Sequence, residues 1–145
     1  VLVAFADEHS SKVANRQRRI LMRANELGVK ITPGGDSNPL DEIGLLEIEQ
    51  LAFSGLDEMQ TLMAATKISA EMNGVLDDVG TIESGKIADI IVLKDNPLEH
   101  ISNIRKLEMV IKNGSIVDLS IPESQKSFWE LYFKKKEDAK WEQYF

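Results

Sequence analysis

The sequence predicts an α/β chain, with helices dominating its first half and short strands its second. Three observations carry this. Apolar residues recur at helical spacing up to Gly74 and at two-residue spacing beyond it. Glycine and proline punctuate the chain where elements should end. The 145 residues are 43% hydrophobic and 28% charged, which suits an ordinary soluble domain burying about 70% of its unfolded surface. The same length excludes a complete (β/α)8 barrel, which needs roughly 250 residues.

Residues 8–27 read as an amphipathic helix, with Val13, Ile20, Leu21, Ala24 and Leu27 at helical spacing and Arg16, Arg18, Arg19 and Arg23 elsewhere. Gly28 stands where a helix-ending glycine belongs. Val29-Lys30-Ile31-Thr32 is short and largely β-branched, which predicts a strand. Such an apolar strand wants neighbours on both sides. It feeds the breaker-rich loop Pro33-Gly34-Gly35-Asp36-Ser37-Asn38-Pro39. A second helix is expected over 40–54, closed by Gly55. A third starts at Asp57, where Asp57 with Gln60 resembles a capping box and Leu56 a hydrophobic staple. It runs to about Met72, with a break near Thr66 and a stop at Gly74.

Beyond Gly74 the run Ala88-Asp89-Ile90-Ile91-Val92-Leu93 predicts a buried strand. Residues 108–112 and 115–118 flank Asn113-Gly114, the strongest short signal for a hairpin. After Pro122 a final helix is expected over about 123–142, carrying Phe128, Leu131, Tyr132 and Ala139. The predicted organisation is therefore a helix, strand, polar loop and further helices over 1–76, a β-rich segment over 77–120 and a helical tail over 121–145.

Composition narrows the function. The chain has no cysteine, which removes disulfides, zinc–thiolate sites, iron–sulfur clusters and cysteine nucleophiles. Net charge is −7, and residues 31–104 hold 14 acidic against three basic side chains. Nucleic-acid binding wants a concentrated basic face and is not expected. No apolar run approaches the ~18 residues of a membrane span. The apolar start, Val1 to Ala6, lacks the basic region and cleavage pattern of a signal peptide. The expected setting is cytoplasmic. A start without methionine, inside a strand-like run, is expected of a piece of something longer.

Asp36 is the best candidate for chemistry. It follows a β-run, is flanked by Gly34 and Gly35, and precedes a helix. Carboxylates at the carboxyl ends of barrel strands point into active sites. Aspartate in such a loop is also a common turn former or helix cap. Ser37 and Asn38 are the substrate-binding candidates of the loop, and capping the next helix is the simpler role for Ser37. Gly80, Gly85 and Lys86 lack the spacing and the following helix of a phosphate loop. Asp89, opening a strand, is expected to make a structural hydrogen bond. His9 and His100 are expected at the surface. The tail holds both tryptophans and both tyrosines, for packing or for an oligomer contact.

Larger patterns add to this reading. Val29 to Ser37 resembles the last barrel strand of the amidohydrolase superfamily, whose G-T-D or G-S-D motif carries the final aspartate of the metal site. The stretch Phe53-Ser54-Gly55-Leu56-Asp57-Glu58-Met59-Gln60, with Ala64-Ala65-Thr66, Ala70 and Gly74, is similar to the family's G-(M/L)-T-P-x-E-A segment and its sequel. Val79 to Leu93 is similar to G-x-I-x-x-G-K-x-A-D-(L/I)-(I/V)-(V/L). Asn96-Pro97-Leu98-Glu99-His100-Ile101 resembles N-P-L-E-D-I, and Val110-Ile111-Lys112-Asn113-Gly114 resembles V-x-K-x-G. The likeness covers roughly residues 20–118 and is closest to the imidazolonepropionase-like and Xaa-Pro-dipeptidase-like branch.

The departures shape what the resemblance implies. Gly35 stands where that branch has Thr or Ser. The family's H-x-H, its bridging lysine and its two later histidines are absent, and His100 replaces the aspartate of N-P-L-E-D-I. One carboxylate cannot hold a catalytic zinc, which takes three protein ligands and a water. The implied fold is the last strand–helix unit of an incomplete (β/α)8 barrel, the C-terminal strands of its companion β-sandwich, and a tail helix.

In the intact parent the resemblance implies metal-dependent hydrolysis of a C–N bond in a small amide, peptide or cyclic amidine, with one or two divalent cations, of which zinc is expected. Asp36 would serve as metal ligand and as general base, then general acid. The chain alone is expected to be inactive and to bind no stoichiometric metal. Its expected partners are the missing N-terminal barrel portion or a second copy of itself. The competing reading is a non-catalytic scaffold or interaction module, or a subunit that completes its barrel with a partner chain.

Overall fold

The computed structural model describes residues 8–34 and 42–120. In chain order these form α1 (Glu8–Glu26), α2 (Glu42–Phe53), α3 (Glu58–Met63), a π-helical turn (Ala64–Ile68), α4 (Ser69–Met72), β1 (Ile90–Leu93), a 3-10 helix (Ile101–Arg105), β2 (Leu107–Lys112) and β3 (Ser115–Ile116). The expected final helix and the aromatic tail lie outside the described residues. Among the described residues no helix is long and apolar enough to cross a membrane.

Three helices stop by the same device. The amides of Gly28 and Val29 donate to the carbonyls of Asn25 and Ala24, both at 3.0 Å. Gly55 and Leu56 repeat the pair on Ala52 and Leu51, and Gly74 and Val75 repeat it on Glu71 and Ala70. These are the two crossing bonds of the Schellman motif, which satisfy carbonyls that the helix leaves without partners. At Gly55 the demand for glycine is double: φ is +117°, and a Cβ would meet the Met22 sulfur at 2.6 Å.

The next helix starts at the predicted capping box. The Gln60 amide donates to Asp57 Oδ1 at 2.7 Å, and the Asp57 amide donates to Gln60 Oε1 at 3.1 Å. The break expected near Thr66 is the π-helical turn. There Thr66 Oγ1 donates to the Leu62 carbonyl and Ser69 Oγ to the Ala64 carbonyl, each at 2.7 Å. Hydroxyls that reach back to helix carbonyls compete with the regular ladder.

The core is small. Leu51, Leu56 and Ala64 are buried together, and Leu21 and Ile31 pack against them. Thr61 is fully buried on α3, yet its hydroxyl has no hydrogen-bond partner among the described residues. The loop that follows α4 is pressed onto the helix at Gly80, where a Cβ would lie 2.5 Å from Ala70 Cβ. Lys86 then fixes the loop from inside. Its side chain is only 13% exposed, and Nζ donates to the Leu76 carbonyl at 2.6 Å and to Thr81 Oγ1 at 2.5 Å.

The three strands form one antiparallel sheet in the order β1–β2–β3. Ile90 pairs with Ile111, Ile91 with Val110 and Val92 with Met109, and a register shift follows before Leu93 meets Leu107. Asn113 and Gly114 both have positive φ, +50° and +77°, as a two-residue type I′ turn requires. Asp89 braces this turn. Its Oδ1 accepts from the Asn113 amide at 2.7 Å and its Oδ2 accepts from Lys112 Nζ. The sheet joins the helices through Arg105, whose Nε and Nη2 donate to the two Glu49 oxygens at 2.7 and 2.8 Å.

Three expectations are corrected. Residues 29–32 form no strand, because among the described residues no strand lies beside them to complete a ladder. Strand β1 is not buried: Ile91 and Val92 are exposed, since β1 is a sheet edge with only β2 beside it. β3 is also shorter than the expected 115–118, ending at Ile116.

The buried hydroxyl of Thr61 gives a sharp contrast with its neighbour Leu56. Thr61→Val should leave stability unchanged or raise it by about 1 kcal/mol, because an unpartnered polar group is removed at nearly constant shape. Leu56→Ala should cost about 2–5 kcal/mol through lost burial and a cavity. Urea unfolding of both variants checks the pair; a large loss for Thr61→Val would show that the hydroxyl is bonded.

Candidate functional site

The route to the predicted site is held at three points. The Schellman turn at Gly28 sets the direction in which the chain leaves α1. Ile31 then packs on Leu51, Leu56 and Ala64. Between them Lys30 Nζ meets Glu71 Oε1 at 2.6 Å, bridging 41 residues of sequence. Asp36, Ser37 and Asn38 follow directly and lie outside the described residues, as does Gly35. The structure thus shows how the approach to Asp36 is anchored as far as Gly34.

Among the described residues no group of three His, Cys, Asp or Glu side chains could hold a metal ion. His100 is exposed. It sits at the rim of a pocket of about 440 Å³ with Glu49, Gln50, Phe53, Glu58 and Ile101. Glu49 in that pocket is already committed to Arg105. His9 belongs to α1, and its side chain lies outside the description.

A larger groove of about 840 Å³ runs between the π-helical turn and the loop that leads into β1. Its polar groups are turned to the fold's own use. Thr66 and Ser69 serve helix carbonyls, Asn73 Nδ2 donates to the Ser69 carbonyl at 2.8 Å, and Lys86 holds its loop. Asp89, at one end of the groove, makes the structural contacts expected of it. The Lys112 ammonium and the Asn113 amide hold its carboxyl below the ordinary carboxylate range. The interior lysine was the residue that sequence reasoning missed. Its signal is the Gly85-Lys86 pair, which the sequence places in the G-x-I-x-x-G-K pattern without marking the lysine as interior.

Comparison with known proteins identifies the frame around these features. The family model described as the amidohydrolase family matches residues 3–117. A Xaa-Pro dipeptidase solved with methionine bound in its active site is 32% identical, with a TM-score of 0.66 over 75% of this chain and 27% of that one. A protein from Bifidobacterium longum assigned as a prolidase is 30% identical, with a TM-score of 0.66 over 81% of this chain and 29% of that one. A prolidase in complex with N-methylphosphonate-L-proline is 30% identical, with a TM-score of 0.60 over 79% and 30% of the two chains. This chain therefore spans less than a third of the length of those structures. A search of curated proteins found no match.

The depressed titration of Asp89 predicts a pH effect with a definite sign. Because its folded value lies below the unfolded one, its contribution is complete above about pH 4 and is lost as pH falls through the folded value. The Asn113 amide resonance should titrate with a midpoint below about 3.9 and should stop titrating in this range in Asp89→Asn. A midpoint at the ordinary carboxylate value would show that the brace is absent in solution.

Proposed function

Since this chain belongs to the amidohydrolase family, we propose that it forms the C-terminal part of a metal-dependent hydrolase acting on a carbon–nitrogen bond, with a small amide or peptide as substrate. The observation that carries the reading is the family match over residues 3–117, joined to prolidase-type structures at 30–32% identity. A dipeptide ending in proline is the first substrate to try. The family generally uses divalent metals. The described residues do not fit one by themselves; Asp36 would serve as a donor from this chain, and further donors would come from the rest of the enzyme. Asp36 would also hold and return a proton beside the scissile bond, work suited to a carboxylate.

The chain's surface supports its being one part of a larger whole. Ile82 is 85% exposed and Ile116 69%, and the outer edge of β1 is unpaired among the described residues. Apolar surface and an open sheet edge are what a partner normally covers. The 145-residue chain should therefore self-associate or bind a hydrophobic dye during gel filtration. A monomer at every concentration that binds no dye would count against incompleteness.

The test of the chemistry uses the full reading frame that contains Val1, assayed with Xaa-Pro dipeptides. Asp36→Asn should lower kcat by roughly 100- to 10,000-fold, the usual share of acid–base catalysis, with little change in thermal stability. Unchanged turnover would remove Asp36 from the site. No hydrolysis of any amide or peptide by the wild type would overturn the reading.

A further inference from the structure

The chain contains two Asn-Gly pairs, Asn73-Gly74 and Asn113-Gly114, and the structure treats them differently. Asn73 closes α4. Its side-chain Nδ2 is held by the Ser69 carbonyl at 2.8 Å, and the Gly74 amide is held by the Glu71 carbonyl at 3.0 Å inside a Schellman motif. Asn113 is exposed, at the tip of a hairpin whose second strand is two residues long. Its side-chain amide has no hydrogen-bond partner among the described residues. What restrains this turn is backbone: the Gly114 amide donates to the Ala88 carbonyl at 3.0 Å, and the Asn113 amide donates to Asp89 Oδ1 at 2.7 Å.

We propose that Asn113 is a site of spontaneous covalent modification, converted to a carboxyl-bearing residue through a cyclic imide with Gly114, and that Asp89 sets its rate by holding the turn closed. The backbone nitrogen of Gly114 attacks Asn113 Cγ. A nitrogen–carbon bond forms, the Cγ–Nδ2 bond breaks, the Gly114 amide proton passes to solvent while solvent protonates Nδ2, and ammonia leaves. Water then opens the five-membered imide at either carbonyl, giving an aspartyl or an isoaspartyl residue at position 113. Glycine at 114 leaves the attacking nitrogen unhindered, since no side chain crowds it.

The closed turn cannot react. The Gly114 nitrogen must first leave the Ala88 carbonyl, and rotation about the Cα–C and Cα–Cβ bonds of Asn113 must bring Cγ over that nitrogen. Reaction therefore follows the open fraction of the turn, as local opening governs exchange and proteolysis. Asp89 lowers that fraction by gripping both the Asn113 amide and Lys112. Modification also removes its own brake. A carboxylate at 113 competes with Asp89 for Lys112. An isoaspartyl link adds a backbone carbon to a two-residue turn, which the pairing of Lys112 with Ser115 and Ile111 with Ile116 cannot absorb.

The test is incubation of the full chain in mildly alkaline buffer, with peptide mapping by mass spectrometry that resolves positions 73 and 113. Wild type, Asp89→Ala, Asp89→Asn and the urea-unfolded chain are compared. In the folded wild type, position 113 should convert before position 73. Conversion at 113 should be several-fold faster in Asp89→Ala. It should be intermediate in Asp89→Asn, whose amide oxygen still accepts from the Asn113 nitrogen. The unfolded chain should convert both positions at similar rates. Equal conversion of the two positions in the folded chain, or an unchanged rate in Asp89→Ala, would overturn the proposal. Should Asp89→Ala fail to fold by circular dichroism, folded and unfolded wild type decide: a rate at 113 equal in both would also overturn it.

Discussion

Leu56 belongs to two motifs at once. It is the residue that closes the Schellman turn after α2, through its amide on the Leu51 carbonyl, and the residue that precedes the capping aspartate of α3. Its side chain is buried against Leu51 and Ala64. One residue therefore fixes where α2 stops, where α3 begins and how the two helices meet. Each such buried side chain contributes roughly 1.5–3 kcal/mol. With only five buried apolar residues among those described, each of them weighs heavily. Leu21 from α1 and Ile31 from the approach segment reach the same cluster, so the anchoring of the route to Asp36 is inherited from the α2–α3 corner.

Local chemistry made these features legible in the sequence. Gly28, Gly55 and Gly74 announce helix ends because a left-handed residue closes a Schellman motif. Asp57 with Gln60 announces a start, and Asn113-Gly114 announces a turn. All rest on a few consecutive residues, and all stand in the structure as read. The readings that failed depend on neighbours distant in sequence. Val29 to Thr32 has the composition of a strand, but a strand exists only where another backbone completes its ladder. Ile90 to Leu93 is apolar enough for burial, but a sheet edge does not bury it. The interior position of Lys86 was equally hidden, because it follows from where the Leu76 carbonyl and Thr81 come to lie.

Long-range charge pairs do a different job from the core. Lys30 with Glu71 and Arg105 with Glu49 each join segments more than 40 residues apart. The Lys30 and Glu71 side chains are half exposed, where an ion pair is worth about 0–1 kcal/mol. Arg105 grips Glu49 through two parallel bonds, and Glu49 is largely covered, so geometry is fixed more firmly there. The first pair positions the segment before Asp36, and the second sets the 3-10 helix, and with it the sheet, against α2. No part of the sequence pattern marks these pairs. Both acids and both bases look like ordinary surface residues until the fold brings them together.

The number of donors, more than the fold, bears on what this chain can do chemically. The helical corner and the sheet form from the chain's own local signals, and the approach to Asp36 is tied down by packing and by an ion pair. If Asp36 ligates a divalent cation as proposed, it supplies one point of attachment where a catalytic site needs three protein ligands. The described residues offer no second cluster to make up the difference. The groove of about 840 Å³ has its hydroxyls and its lysine engaged in holding the fold. On the proposed reading this chain would contribute Asp36, and the Leu51–Leu56–Ala64 corner anchors the segment that leads to it as far as the described residues run.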